Sequence, residues 1–182
     1  MIMNSQKLRA AIDKGAIDAP YSAVGPASID LTLGSTFYVA KKPSILNRLL
    51  GRVGFVQPGR GIGPNMRPLL NEVVLQPGDT CICAAHEWIS LPDWLVGEIR
   101  LKSTAGRCFL GHQLAVWIDP GFVGRITLEL VNNNRYQPIK LRAGDSVAQL
   151  ILDTMDRTDT PYRGRYQGDN GPRQAKAVHD AT

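Results

Sequence analysis

What the sequence lacks narrows it first. No apolar run approaches the roughly 18 to 20 residues that cross a bilayer as a helix, and the opening MIMNSQKLRAAIDKG has no apolar stretch of a secretory signal. A soluble, cytoplasmic protein is expected. Cysteine is scarce: Cys81, Cys83 and Cys108 are odd in number and none stands in a CxxC pair, which argues against a disulfide framework and a thiolate zinc site. Reduced, mostly buried thiols are expected. His86-Glu87 is not an HxE motif and no PCxxC follows it, so the zinc-dependent deaminase signature is missing. The Gly-rich run GRGIGP lacks the GK[ST] ending of a P-loop. Acid is missing between residues 41 and 71, a stretch that holds Lys41, Lys42, Arg48, Arg52, Arg60 and Arg67; without these six cations the formal net charge falls from +5 to −1.

What is present reads as one mainly β domain over residues 1–182, since 43% hydrophobic residues in a chain of 182 suffice for one core. The basic stretch 41–71, with its Pro and Gly, reads as a loop insertion. It is either a solvated excursion or an arm that attracts a polyanion such as a nucleotide triphosphate or nucleic acid. Residues 5 to 14 predict a short helix, capped by Asn4 or Ser5, striped by Leu8, Ala11 and Ile12, and ended by Gly15. In SIDLTL, Ile29, Leu31 and Leu33 share one face of a strand and Asp30 and Thr32 the other. The alternation returns in VVL, TCICA, RITLELV and VAQLIL, between Pro, Gly, Asn and Asp turns, as in an all-β sandwich or barrel. VVLQPGDTCIC and IKLRAGDSVAQ read as two similar hairpins. The polar tail from Thr158 onward predicts a flexible end.

Three places can carry chemistry. In the strand from Arg125 to Val131, Ile126, Leu128 and Leu130 share one face and Thr127 and Glu129 the other. Glu129 either faces solvent on a half-exposed sheet or lines a pocket, its pKa raised by partial burial so that it takes and returns a proton. In LKSTAGRCFLGH, Lys102, Ser103 and Arg107 bracket a small Ala-Gly turn, either a basic surface turn or a cradle for phosphate oxygens. In AVWIDPGFVG, Asp119 precedes a Pro-Gly turn, where it either forms the turn or contacts a sugar hydroxyl or a water.

The stretches PASIDLTLG, VVLQPGDT, EWISLPDWLVGEI, LKSTAGR, HQLAVWIDPGFVGRITLEL, LRAGDSVAQLIL and PYRGRYQGDNGP resemble, in order and over nearly the whole chain, the dCTP deaminase family of the dUTPase superfamily, including its bifunctional dCTP deaminase/dUTPase members. The resemblance implies a distorted β-barrel or jelly-roll-like dUTPase-type fold with a short N-terminal helix. It also implies a homotrimer with active sites between subunits, and a triphosphate bound with Mg2+ and no zinc. Glu129 then activates the water that attacks C4 of cytosine, supported by Ser103 and Arg107. Lys102 matches a phosphate-binding position, Thr104 stands in place of a serine in the same turn, and the backbone carbonyl of Ala115 helps hold the water. Asp119 matches an aspartate near the deoxyribose. Tyr162, Arg165 and Tyr166 match residues that close over base and phosphates, so that residues 158–182 become a lid. Asp169 stands where a glutamine that contacts the base is usual, exchanging an amide for an acceptor-only carboxylate. Leu114 replaces a threonine, and Ala105 a leucine.

The leading reading is zinc-independent hydrolysis of dCTP to dUTP and ammonia. The alternative is a dUTPase or bifunctional enzyme that releases dUMP and pyrophosphate, because Asp119 matches the aspartate with which dUTPases activate water at the α-phosphate. A further alternative, motivated by Leu114 and Asp169, is a nucleotide-binding regulatory homologue without turnover. A modified cytosine nucleotide or a monophosphate stays open as substrate.

Overall fold

The structure is a computed structural model describing residues 1–42, 44–50, 65–113 and 115–176, except the side chains of residues 47 and 48. The Asn4 side chain accepts from Lys7 N at 3.0 Å and so starts helix α1, Ser5–Asp13, which buries Leu8 and Ala11. A 3-10 turn at Tyr21–Ala23 leads into the long strand β1, Ile29–Ala40. There follow α2 (Ile45–Leu49), β2 (Met66–Leu70), β3 (Glu72–Leu75), β4 (Thr80–Ala85), β5 (Ile89–Ser90), β6 (Leu95–Leu101), α3 (Ser103–Arg107) and β7 (Leu110–His112). The chain ends in β8 (Trp117–Ile118), β9 (Val123–Gly124), β10 (Thr127–Asn132), β11 (Ile139–Arg142), β12 (Ser146–Thr154) and the tail. No helix among the described residues is long and apolar enough to cross a membrane.

The fold is mainly β, as expected. One sheet runs β7-β10-β4-β1-β12-β6-β8, with β2 also on β1, and curls into a half-barrel. Strand β1 holds it together by serving two neighbourhoods. Its first residues pair with β12, with Ile29 opposite Leu150, and its last with β4 and β2, with Phe37 opposite both Cys83 and Leu69. The change of partner falls around Gly34, where a Cβ would stand 3.1 Å from the Ala84 carbonyl oxygen. Ile29, Leu31, Leu33 and Phe37 are buried together with Leu128, Leu130, Leu150 and Leu152.

Two expectations change. The two Gly-Asp segments are corners, not hairpins: β3 pairs with β11, whereas β4 pairs with β1 and β10, and β12 with β1 and β6. The turns are nonetheless built alike. Gly78 and Gly144 hold positive φ (79° and 85°), and Asp79 and Asp145 each accept from a backbone N–H three residues back, on Gln76 and Arg142. The stretch 41–71 is not a loop throughout, since α2 and β2 lie in it; residues 51–64 fall outside the described ones. The thiols are free and mostly buried, as expected: Cys81 and Cys83 lie inside on β4, and Cys108 is exposed. Burial pushes the Cys81 thiol up to about 12 and raises Cys83 well above the ordinary thiol value.

Candidate active site

Strand β10 sets the site. Leu128, Leu130 and Asn132 are buried on one face while Thr127, Glu129 and Val131 turn to the other, so the strand's two-residue period aims the carboxylate away from the core. Asn132 pins the far end of the strand by donating to the carbonyls of Leu75 and Gln137 at 2.9 and 3.0 Å. The Glu129 side chain is 33% exposed, and its Oε2 is buried without a hydrogen-bond partner. Loss of water lifts its pKa above the ordinary carboxylate value, with only its own backbone N–H pulling the other way. Nε2 of His112, itself 5% exposed, lies 3.5 Å from that oxygen. Burial lowers the imidazole's pKa, leaving it neutral at physiological pH.

Glu129 stands in the wall of a cavity of roughly 500 Å³. The same cavity takes Ala115 and Asp119, the apolar side chains of Ile82, Ile99, Ile118 and Ile126, and from the tail Tyr162, Tyr166, Asp169 and Arg173. Asp119 accepts from Trp117 Nε1 at 3.1 Å, and its carbonyl accepts from Phe122 N to close the Pro-Gly turn. At the crest of that turn Gly121 adopts φ +85°, and any Cβ there would come within 2.6 Å of Pro161.

That close approach docks the tail. Expected as a flexible end, the tail runs through residue 176 as a segment bound along its own chain. Tyr162 N donates to Pro120 O and Gly168 N to Val123 O, both at 2.7 Å, and Arg125 N donates to Asp169 O at 2.8 Å. The Tyr162 ring packs on Phe122 with centroids 5.8 Å apart. Tail composition alone hides this, because the partners are backbone groups of β9 and its flanking turns. Arg165 turns to the carbonyl of Lys176 at 2.8 Å and does not line the cavity.

The structure separates the remaining predicted residues from this cavity. Ser103, Thr104 and Arg107 lie exposed on α3, which replaces the Ala-Gly turn read from sequence. Lys102 forms an ion pair with Asp30 on β1 and reaches Ser146 Oγ at 3.3 Å. Leu114 lies outside the described residues. Two residues that sequence reasoning passed over belong to the cavity or to its carboxylate. His112 comes beside Glu129 because β7 pairs with β10, which no local pattern reveals. Arg173 arrives with the folded tail, its Nε bonded to Asp169 at 3.1 Å. Among the described residues no group of three or more His, Cys, Asp or Glu could hold a metal ion.

Comparison with known proteins places this geometry. Residues 2–155 match the family model described as dCTP deaminase-like. Proteins named "dCTP deaminase, dUMP-forming" are similar over nearly the full length. The one from Sulfurihydrogenibium sp. is 31% identical, covering 99% of both chains. That of Methanopyrus kandleri is 33% identical over 96% of this chain and 95% of its own, and that of Streptomyces avermitilis 36% over 97% and 95%. The crystal structure of 2'-deoxycytidine 5'-triphosphate deaminase from Agrobacterium tumefaciens superposes with a TM-score of 0.63 at 25% identity, over 84% of this chain and 47% of that one, so this chain spans about half the length of that structure. With the family model covering most of its length and relatives above 30% identity along nearly all of it, the chain belongs to the dCTP deaminase family.

Proposed function

We propose that this protein hydrolyses dCTP twice, to dUMP, ammonia and pyrophosphate, in a cytoplasmic setting. The observation that carries the reading is that two carboxylates of different environment, Glu129 and Asp119, line one cavity. The relatives' shared description ends at dUMP, which favours the second of the readings drawn from sequence over release of dUTP.

In the first step Glu129 takes a proton from water as the water adds to C4 of cytosine. That proton passes to N3 and stays there; Glu129 then takes the proton of the new C4 hydroxyl and gives it to the amino group, and the C4–N4 bond breaks as the C4 oxo group forms and ammonia leaves. A carboxyl whose pKa burial has raised above its ordinary value suits both halves of that exchange. In the second step a water directed by Asp119 attacks the α-phosphorus, and the bond to the bridging oxygen breaks to release pyrophosphate. Magnesium enters on the triphosphate as part of the substrate. Tyr162 and Tyr166 offer ring faces for the base, and Ala115 a carbonyl for the water.

Ser103, Thr104, Arg107 and Lys102 are exposed or partly exposed away from the cavity. We assign them to the water, carboxylate and phosphates of a neighbouring subunit's site, in a homotrimer whose sites form between chains. Incubation with magnesium and dCTP, with ammonia, pyrophosphate and nucleotide products measured, tests the whole. Dump of dUMP, ammonia and pyrophosphate in equal amounts is expected; dUTP and ammonia without pyrophosphate would reduce the protein to a deaminase alone. Glu129→Gln should lower ammonia release by at least about a hundredfold, the usual scale for a lost general base, while nucleotide binding persists.

A further inference from the structure

Arg125 carries a charge that the chain leaves without a counter-ion. It is partly buried where β9 gives way to β10, and a charge that has lost part of its water is costly unless paired. Its Nε donates to Asn170 Oδ1 at 2.9 Å, but among the described residues no carboxylate pairs with it and its two terminal nitrogens have no partner. The residue lines the cavity that holds Glu129 and also a second, separate cleft of roughly 270 Å³.

A fault in the sheet opens that cleft. From Leu33, opposite Ala85, to Phe37, opposite Cys83, four steps along β1 answer two along β4, so Gly34, Ser35 and Thr36 bow out as a bulge. The bulge is braced, since Asn71 N donates to the Ser35 carbonyl at 2.7 Å. His86, just past β4, is held to the same strand by its N–H on the Thr32 carbonyl at 2.8 Å. The docked tail adds Asn170 and Pro172 to the lining. Arg125, His86, Ser35, Thr36 and Asn170 thus bring a guanidinium, an imidazole, two hydroxyls and an amide to one space, and no Asp or Glu lines it.

Each of these groups can donate a hydrogen bond, and a space rich in donors and lined by no acid selects an anion. The donors come from β1, from the turn after β4, from the start of β10 and from the tail. That spread suits a tetrahedral oxyanion, with oxygens on every side, over a planar carboxylate that one guanidinium fork satisfies. We propose that this cleft binds an oxyanion of the phosphate class, and that the anion fastens the tail to the sheet beside the catalytic cavity. Inorganic phosphate is one source; the pyrophosphate released by the reaction proposed above is another, one side chain away from the cavity in which it forms. The site stands without the nucleotide reading, whereas the second source rests on it.

Calorimetric titration of inorganic phosphate, and separately of pyrophosphate, into full-length Glu129→Gln protein saturated with dCTP and magnesium tests this, because nucleotide then fills the catalytic cavity. One anion per chain is expected to bind. Thr36→Val together with His86→Ala should weaken it about tenfold or more, the scale of lost hydrogen bonds to a charged group. Arg125→Lys, which keeps the charge but loses the fork, should do likewise. At about ten times its Kd the anion should slow trypsin cleavage at Arg163 and Arg165 about tenfold by linkage. Tighter binding of pyrophosphate than of phosphate marks the reaction product as the source, and the reverse marks free phosphate. No anion bound beside dCTP, affinity untouched by these substitutions, or binding without protection of the tail overturns the inference and leaves the nucleotide reading standing. Should dCTP itself fail to bind, the nucleotide reading falls, and the same titrations on nucleotide-free protein decide the cleft alone.

Discussion

Burial raises the carboxyl of Glu129 and lowers the imidazole of His112, so each favours its uncharged form although their polar atoms stand 3.5 Å apart. The effects on stability follow by linkage. A carboxyl whose folded pKa lies above its ordinary value near 4.5 stabilises the fold while protonated, and that stability is lost as pH rises through the folded value. An imidazole held below its ordinary 6.5 keeps its contribution above that value and loses it as pH falls through the folded one. Glu129→Gln should therefore melt at a higher temperature than the parent at pH 7, with the gain disappearing below about pH 4, where the parent carboxyl is protonated in both states; scanning calorimetry across pH reads this. Ammonia release needs the ionised carboxylate, so the acid limb of kcat/KM should fall above 4.5.

At the scale of elements, the alternations in SIDLTL and RITLELV were legible because a strand exposes its period directly: both have the predicted faces inward. Pairing was not legible. Nothing local says that Gly-Asp turns send β4 and β12 to either side of β1 rather than back on β3 and β11, or that β7 carries His112 to Glu129. The tail escaped for the same reason, since its hold is made of long-range contacts: backbone bonds, the Tyr162 ring on Phe122, the Gln167 side chain on Val123 N and Gly121 O, and one crowded glycine. That glycine is a handle. Gly121→Ala adds a Cβ 2.6 Å from Pro161 at a φ that L-residues avoid, and should loosen residues 158–176 while the sheet stays intact. Trypsin cleavage at Arg163 and Arg165 is expected to accelerate about tenfold or more, the shift that about 1.4 kcal/mol of local opening produces, with little change in the melting of the core.

For the whole molecule, the motif residues fall into two groups: Glu129, Asp119 and the tail around one cavity, and Ser103, Thr104 and Arg107 on α3 outside it. A family motif names both groups without saying that one chain keeps them apart. If each site draws on two chains, Ser103→Ala and Glu129→Gln proteins should be inactive alone yet recover activity when unfolded together and reassembled. About a quarter of the parent rate is expected, the random-mixing value for a site built from two halves; absence of recovery would assign both groups to one chain. The β4 thiols give such experiments an internal clock. Cys81 and Cys83 lie at 1% and 0% exposure on the strand that pairs with β10, and the former reaches the thiolate only near about 12, whereas Cys108 stands in solvent. An alkylating reagent thus marks Cys108 at once and the other two only when β4 parts from the Glu129 strand, so the interval between the two labelling events times the lifetime of the catalytic wall.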